Sequence, residues 1–461
     1  MPYPTSPLPQ SPVPSAAELL PFVEAGLRDL SALVALESVS AQRRMLPETA
    51  QAVTDLLSAE GFTVRQYPGQ VAPLLIAEAG EGPSTLLIYN HYDVQPETPL
   101  ELWDSPPFVL TERGGRLYGR GASDDKGEFA SRLAAVRAIK ARHAGHLPLK
   151  IRWLIEGEEE IGSPSLARFV EQHASELSAD GCWWEFGSID SEGRPMVSLG
   201  LKGVVCLELR CRVADSDLHS SLGAVVDNPL WRLAAAVASL RDSTGRASIA
   251  GFHDAIRAPS EADLQAIHEL PDARGPLRDT YNITRFLGDD TEHQTRSNLT
   301  PAINVNGFHG GYEGEGSKTV LPAAGFVKLD IRLVPDQDPD EIVKLLRTHL
   351  DTLGFEDIEL IELESSEHAA RTSADNPFVK VALQAAREAH GKEPVVSPSS
   401  AASGPLYPFV KHLNVPTVIM GIGNIGGRVH APNENILKRD FAAGVRFGVV
   451  FMERLAQAKP S

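Results

Sequence analysis

Three short, mostly apolar runs constrain the fold of this chain more than any other feature. They are Thr85 to Tyr89 (TLLIY), Leu149 to Ile155 (LKIRWLI) and Pro416 to Met420 (PTVIM). Runs of this kind, separated by helical stretches such as Glu128 to Lys140, predict buried strands of a mostly parallel sheet covered by helices. In such a sheet, ligand sites form at the carboxyl ends of the strands. Polar clusters fall at those ends here. The first run leads into Asn90-His91-Tyr92-Asp93 and the second into Glu156-Gly157-Glu158-Glu159-Glu160. The third leads into the glycine-rich segment Gly421 to Gly427 and then His430.

The middle of the chain has a different period. Leu207 to Val213 alternates for part of its length and Val327 to Leu333 throughout, which suits an antiparallel sheet with one wet face. The acid and histidine clusters lie before about residue 190 and again near residue 430. The expected architecture is therefore α/β. A mostly parallel-sheet catalytic domain (residues 17–199 and 371–461) is interrupted by an inserted α+β domain with an antiparallel sheet (residues 200–370). Two helices are expected near the start, Glu18 to Leu36 and Pro47 to Glu60. Residues 1–16 are rich in proline and read as a flexible or polyproline-like arm.

Charge and cysteine content narrow the function. The net charge is −18, and such a surface repels phosphate backbones and anionic lipid, so neither nucleic acid nor membrane is an expected partner. No run is long and apolar enough to span a bilayer, and the start of the chain lacks a secretory pattern. Three cysteines, Cys182, Cys206 and Cys211, form no CxxC and no disulfide framework. This predicts a reducing, cytoplasmic setting and argues against a thiolate zinc site.

The polar clusters have ordinary readings one by one. His91-Tyr92-Asp93 is by itself a capped strand end, yet residues two apart share a side, so His91 can bind a metal while Asp93 orients it. Asp124-Asp125, in a glycine-rich turn opening a helix, is by itself an N-cap. Two adjacent carboxylates nevertheless need a cation nearby, and one carboxylate can bridge two metals. Charge clusters such as Glu156 to Glu160 are usually solvated, but at the mouth of a buried strand unpaired charge is costly. One of those glutamates is a candidate ligand and its neighbour a candidate general base. Glu185 follows the apolar Cys182-Trp183-Trp184, and His430 opens His430-Ala431-Pro432-Asn433-Glu434. Two histidines with several carboxylates and no sulfur have the composition of a catalytic dinuclear site.

Together YNHYDVQP, GRGASDDKGE, EGEEEIGS and VHAPNE resemble the dinuclear zinc metallopeptidases. That family includes carnosinases, cytosolic non-specific dipeptidases, glutamate carboxypeptidases, acetylornithine deacetylase and succinyl-diaminopimelate desuccinylase. DLHS, SKTVLPA and DIRLVPDQ lean toward the dipeptidase branch. The resemblance covers nearly the whole chain after the proline-rich arm. It implies two divalent metal ions per subunit, zinc first and manganese or cobalt as alternatives. His91 and Glu185 would hold one ion and Glu160 and His430 the other, with Asp124 bridging. Asp93 would steady His91, and Glu159, the glutamate of the pair before Ile161-Gly162-Ser163, would be the general base. His219 would reach the partner subunit's active site and stabilise the oxyanion. That implies a homodimer joined through the inserted domain, which would also close over substrate by hinging near residues 200 and 370. Arg332 would bind the substrate carboxylate, with Thr319, His368, Ser403 and Gly404 as further substrate contacts.

Two departures stand out. His219-Ser220-Ser221-Leu222-Gly223-Ala224 replaces the HSGxxGG pattern frequent in dipeptidases. Glu185 occupies a ligand position that is usually aspartate in that branch and glutamate in the deacylases. The expected activity is hydrolysis of the amide bond of dipeptides or short peptides. An N-acyl-amino-acid deacylase is the alternative, and a catalytically silent binding protein on the same fold a further one.

Overall fold

A computed structural model describes residues 13–458, apart from 273, 290, 291, 364 and 365. Most of the expected proline-rich arm therefore lies outside the described residues. The first helix, Ala16–Val34, starts where Ser15 Oγ accepts the Glu18 N–H (3.2 Å), which satisfies one free donor of the opening turn.

The apolar runs become the middle of a nine-stranded sheet. Lys150–Glu156, Thr85–His91, Gly181–Trp184 and Thr417–Ile419 lie side by side, and each neighbouring pair is parallel. The edges are mixed. Leu74–Ala79 and Thr63–Tyr67 add antiparallel strands on one side, and Pro195–Ser198 is antiparallel to Thr417–Ile419 on the other. Both faces are covered. Helices Ala16–Val34, Lys126–Arg142, Pro377–His390 and Lys438–Gln457 pack on one face around Trp153, Trp183 and Phe451. Leu166–Gln172 and Phe409–Leu413 close the other around Tyr89 and Trp184. Trp153, Trp183 and Trp184 are fully buried. An aromatic residue of that size is worth a few kcal/mol in a core, which fixes the strands that carry the site.

The middle of the chain forms its own antiparallel sheet, in the order Ala302–Gly310, Ala324–Leu333, Gly203–Arg212, Glu359–Glu362. Val205, Leu207, Leu209 and Cys211 are buried while Arg210 and Arg212 are exposed, as period two requires for a sheet with one covered face. Helices Pro229–Ser239 and Pro339–Thr352 cover it through Leu233, Ile342 and Leu346 in a separate core. The α/β architecture with an inserted α+β body is thus present. A two-residue ladder, Gly200 with Arg371 and Leu201 with Ala370, joins the outgoing and returning chain. No described helix is long and apolar enough to cross a membrane.

Candidate active site

The carboxyl ends of the central strands converge. His91 is the last residue of Thr85–His91 and pairs in register with Glu156, the last of Lys150–Glu156. Glu185 follows Gly181–Trp184, and the loop after Thr417–Ile419 delivers His430. Asp124 and Asp125 come from the turn before helix Lys126–Arg142, and the peptide between them is cis.

Asp124 stands between the two histidines. Its Oδ1 is 3.0 Å from His91 Nε2 and its Oδ2 is 3.1 Å from His430 Nε2. Glu185 Oε2 lies 3.7 Å from His91 Nε2, and Glu160 Oε2 lies 3.1 Å from His430 Nε2. On its other edge, His91 Nδ1 faces the Asp93 carbonyl (3.1 Å) and the Asp93 carboxylate (3.3 Å). Both are acceptors, so Nδ1 carries a proton and Nε2 is the ring nitrogen turned toward the cluster. The Asp93 carboxylate also accepts the backbone N–H groups of Glu159 (3.2 Å) and Glu160 (3.0 Å). One aspartate therefore ties the first motif to the third.

The glutamate cluster divides its labour. Glu156 accepts the hydroxyls of Tyr89 (2.6 Å) and Ser163 (2.9 Å), and burial pushes it up to about 8. Glu158 is wholly buried and accepts the backbone N–H groups of Val71, Ala72 and Ser165. Glu159 instead faces a cavity of about 220 Å³, which Asp124, Glu185, Phe186, Gly404 and His430 also line. Gly157 permits this arrangement, because a β-carbon there would lie 2.3 Å from the Tyr92 ring.

The site is short of positive charge. Burial raises Glu159 and Glu185 well above the usual carboxylate range, and neighbouring carboxylates add to it. Burial alone would lower His91, yet Glu185, Asp124 and Asp93 hold it well above an ordinary imidazole. Hydrogen bonds to Asp124 and Glu160 push His430 up to about 10. Glu185 Oε2 and Asp125 Oδ1 are buried without a hydrogen-bond partner. Two groups, His91 with Asp125 and Glu185, and Asp124 with Glu160 and His430, each bring their donor atoms within 4.8 Å of one another. Nitrogen and oxygen donors with surplus negative charge and orphaned oxygens fit a pair of divalent cations.

The other expected site residues are more scattered. Arg332 donates to Ser403 Oγ (2.9 Å) and to Asp330 (3.2 Å). Ser403 and Gly404 line the metal-side cavity. His368 stacks on Tyr407 at 4.1 Å and lines a separate cavity with Asp336 and Asp338. His219 is exposed on the inserted body, its Nδ1 2.9 Å from Ser221 Oγ, and the Thr319 carbonyl accepts the Ser220 N–H (3.2 Å). Neither His219 nor Thr319 lines the cavity around Asp124.

Three residues of this site have partners that the sequence did not foretell. Asp125 accepts from Asn90 Nδ2 (2.6 Å) and the His91 N–H (3.0 Å). Gln95 donates to Glu160 Oε2 (2.8 Å). Glu434 is the third. Its Oε1 accepts the N–H groups of Ser123 (2.9 Å) and Asp124 (3.0 Å), and its Oε2 accepts from Gly121 N (3.1 Å) and Arg120 Nη1 (2.7 Å). The only trace in the sequence was an acid four residues after His430.

Known proteins share this arrangement of chain. Human Beta-Ala-His dipeptidase is 28% identical over 408 residues, covering 84% of this chain and 78% of the relative. A Cys-Gly metallodipeptidase of Schizosaccharomyces pombe is 27% identical over 469 residues, covering 94% and 95%. The crystal structure of an M20 family metallo-carboxypeptidase from Sulfolobus solfataricus matches with a TM-score of 0.86 at 34% identity, covering 94% of this chain and 99% of that one. The model of peptidase family M20/M25/M40 matches residues 87–454, and the chain belongs to that family.

Proposed function

We propose that the protein is a metal-dependent dipeptidase that hydrolyses the amide bond of dipeptides or short peptides. The observation that carries this reading is the placement of Asp124, one oxygen against each histidine, with Glu159 facing the same cavity. The relatives named as dipeptidases support the substrate class. In this proposal His91 and Glu185 would hold one divalent ion and Glu160 and His430 the other, with Asp124 serving both. Zinc is the first choice and manganese or cobalt the alternatives. When bound, the ions lower the pKa of a water molecule and polarise the scissile carbonyl.

The chain's own residues do the rest. Asp93 holds His91 in the tautomer that presents Nε2. Glu159 takes a proton from the attacking water and returns it to the leaving amine nitrogen. Its neighbour Glu158 is already committed to three backbone N–H groups. Arg332, steadied by Ser403, takes the C-terminal carboxylate. Thr319 and His368 belong to a closed, substrate-bound arrangement.

The same proposal includes a homodimer formed through the inserted domain, taken as residues 200–370. His219 is exposed and outside its own cavity, so a second copy is the body it can serve. Val225 and Trp231, in the same stretch, are 79% and 76% exposed, the kind of apolar surface an interface covers. A cytoplasmic location completes the reading, with Cys182 and Cys211 buried and outside any disulfide.

Glu159→Gln tests the core of it. Turnover of dipeptides should fall roughly 10²–10⁴-fold with metal content unchanged. Retained turnover refutes the assignment of the base. A preference for N-acyl amino acids over dipeptides in the parent enzyme refutes the substrate class.

A further inference from the structure

The strands that deliver His91 and Glu185 part before they reach them. Thr85–His91 and Gly181–Trp184 pair in register only from Leu86 with Gly181 to Ile88 with Trp183. His91 and Glu185 lie beyond the last pair, so the ladder between these strands does not set their spacing. Arg132, on the second turn of helix Lys126–Arg142, joins the two strand ends instead and is wholly buried there. Its Nη1 donates to the Tyr89 carbonyl (2.9 Å), to Asn90 Oδ1 (3.1 Å) and, more weakly, to the Trp183 carbonyl (3.4 Å). Its Nη2 donates to the Trp184 carbonyl (2.6 Å). The guanidinium also lies 4.5 Å from the centre of the Trp183 ring, a contact that a cation favours.

Asn90 carries the contact one step further. Its Nδ2 donates to Asp125 Oδ2 (2.6 Å), the oxygen that also accepts the His91 N–H (3.0 Å), and its Oδ1 accepts from Trp153 Nε1 (3.0 Å). One side chain is therefore bonded to the backbone just before Glu185 and, through Asn90 and Asp125, to the backbone of His91. Glu128, one turn earlier on the helix, lies 3.9 Å from Arg132 Nη2 and accepts the Ile422 N–H (2.6 Å). Gly421 leaves room for it, since a β-carbon there would strike the Glu128 carboxylate. A fixed cation beside ligands that gather cations opposes metal binding if charge is all it supplies. A planar fork that grips two backbone segments at once supplies geometry as well.

We infer that Arg132 is a positioning residue for one metal position and not for the other, holding His91 and Glu185 at the spacing that a single ion needs. The inference rests on the two-metal reading. Glu160 is held by Asp93 and Gln95, and His430 by Asp124 and Glu160, and none of these bonds to Arg132. The sign of the effect separates geometry from charge. Removing a positive charge alone would tighten the nearby ion, whereas removing the fork should loosen it.

Cobalt(II) titrated into the metal-free full-length protein, followed by its visible absorption, counts the ions and ranks their affinities. The parent should bind two per chain. Arg132→Met should bind one ion within about threefold of the parent's affinity and the other about 10–100-fold more weakly. Placing the substitution in His430→Ala and in His91→Ala chains shows which position is affected. The ion that His430→Ala retains should weaken, and the ion that His91→Ala retains should not. Arg132→Lys keeps the charge but offers a point in place of a fork, so its affinities should resemble those of the methionine variant, and it provides the test if that variant does not fold. Equal weakening of both ions, tighter binding, parent-like affinities in Arg132→Lys, or a lower unfolding midpoint with both affinities unchanged each overturns the inference and leaves the two-metal reading standing. A parent that binds no divalent ion overturns both.

Discussion

Replacing Glu434 by glutamine changes one atom, and its consequences follow from what surrounds that carboxylate. Each oxygen accepts two N–H donors, so whichever becomes nitrogen, an NH2 group faces a pair of donors. Arg120 loses its counter-charge as well. Both side chains of that ion pair are 1% exposed, and breaking a buried pair from one side costs about 3–5 kcal/mol. A chain of this length unfolds with an entropy of about 1 kcal/mol per kelvin, so the unfolding midpoint of the metal-loaded protein should drop by about 3–5 °C. The second effect is local. Glu434 holds the backbone of Asp124, and partners that orient ligands typically change metal affinity about 10–100-fold when lost. Differential scanning calorimetry gives the first quantity and chelator competition the second. A lower midpoint with unchanged metal affinity would show that Glu434 supports the fold without positioning Asp124. No change in either would refute the reasoning.

Two further outcomes are expected. Burial raises Glu156 to about 8 in the folded chain from an ordinary value of 4.5. Its contribution to stability is complete below about 4.5 and is lost as the pH rises through about 8. Glu156→Gln removes that dependence, so the difference in unfolding midpoint between variant and parent should move in the variant's favour from pH 5 to pH 9, and a constant difference would refute it. Trp231→Glu should shift the protein from dimer to monomer in light scattering, because a 76% exposed tryptophan is the largest apolar group the proposed interface would cover. A parent that is already monomeric refutes the homodimer.

The sequence was most informative where one principle acted alone. Thr85–His91 and its parallel neighbours could be read because strands buried on both faces need apolar side chains at nearly every position. Their ends drew notice because several acid and histidine clusters, each ordinary alone, fall at the same ends of neighbouring strands. The edge strands Thr63–Tyr67 and Leu74–Ala79 were not singled out, since pairing, not composition, makes them antiparallel members of the same sheet. Within the Glu156 to Glu160 cluster, adjacent identical residues went to different tasks. Nothing in the order of letters reveals that Val71, Ala72 and Ser165 would claim Glu158. Glu434 was visible as a letter but not as a partner of four donors, because those donors come from a turn more than 300 positions earlier.

The ladder of Gly200 with Arg371 and Leu201 with Ala370 has a topological consequence. Antiparallel partners stand only about 5 Å apart, so the polypeptide departs from the metal-bearing body and re-enters it at one point. Everything from residue 202 to residue 369 is, from the standpoint of that body, a single long loop whose ends are already closed. The entropic cost of such a loop grows only with the logarithm of its length. The surface loops between those two crossings can therefore lengthen or shorten at little entropic cost, while residues that reach back across, such as Arg332 to Ser403 (2.9 Å), stay tied to the body beneath.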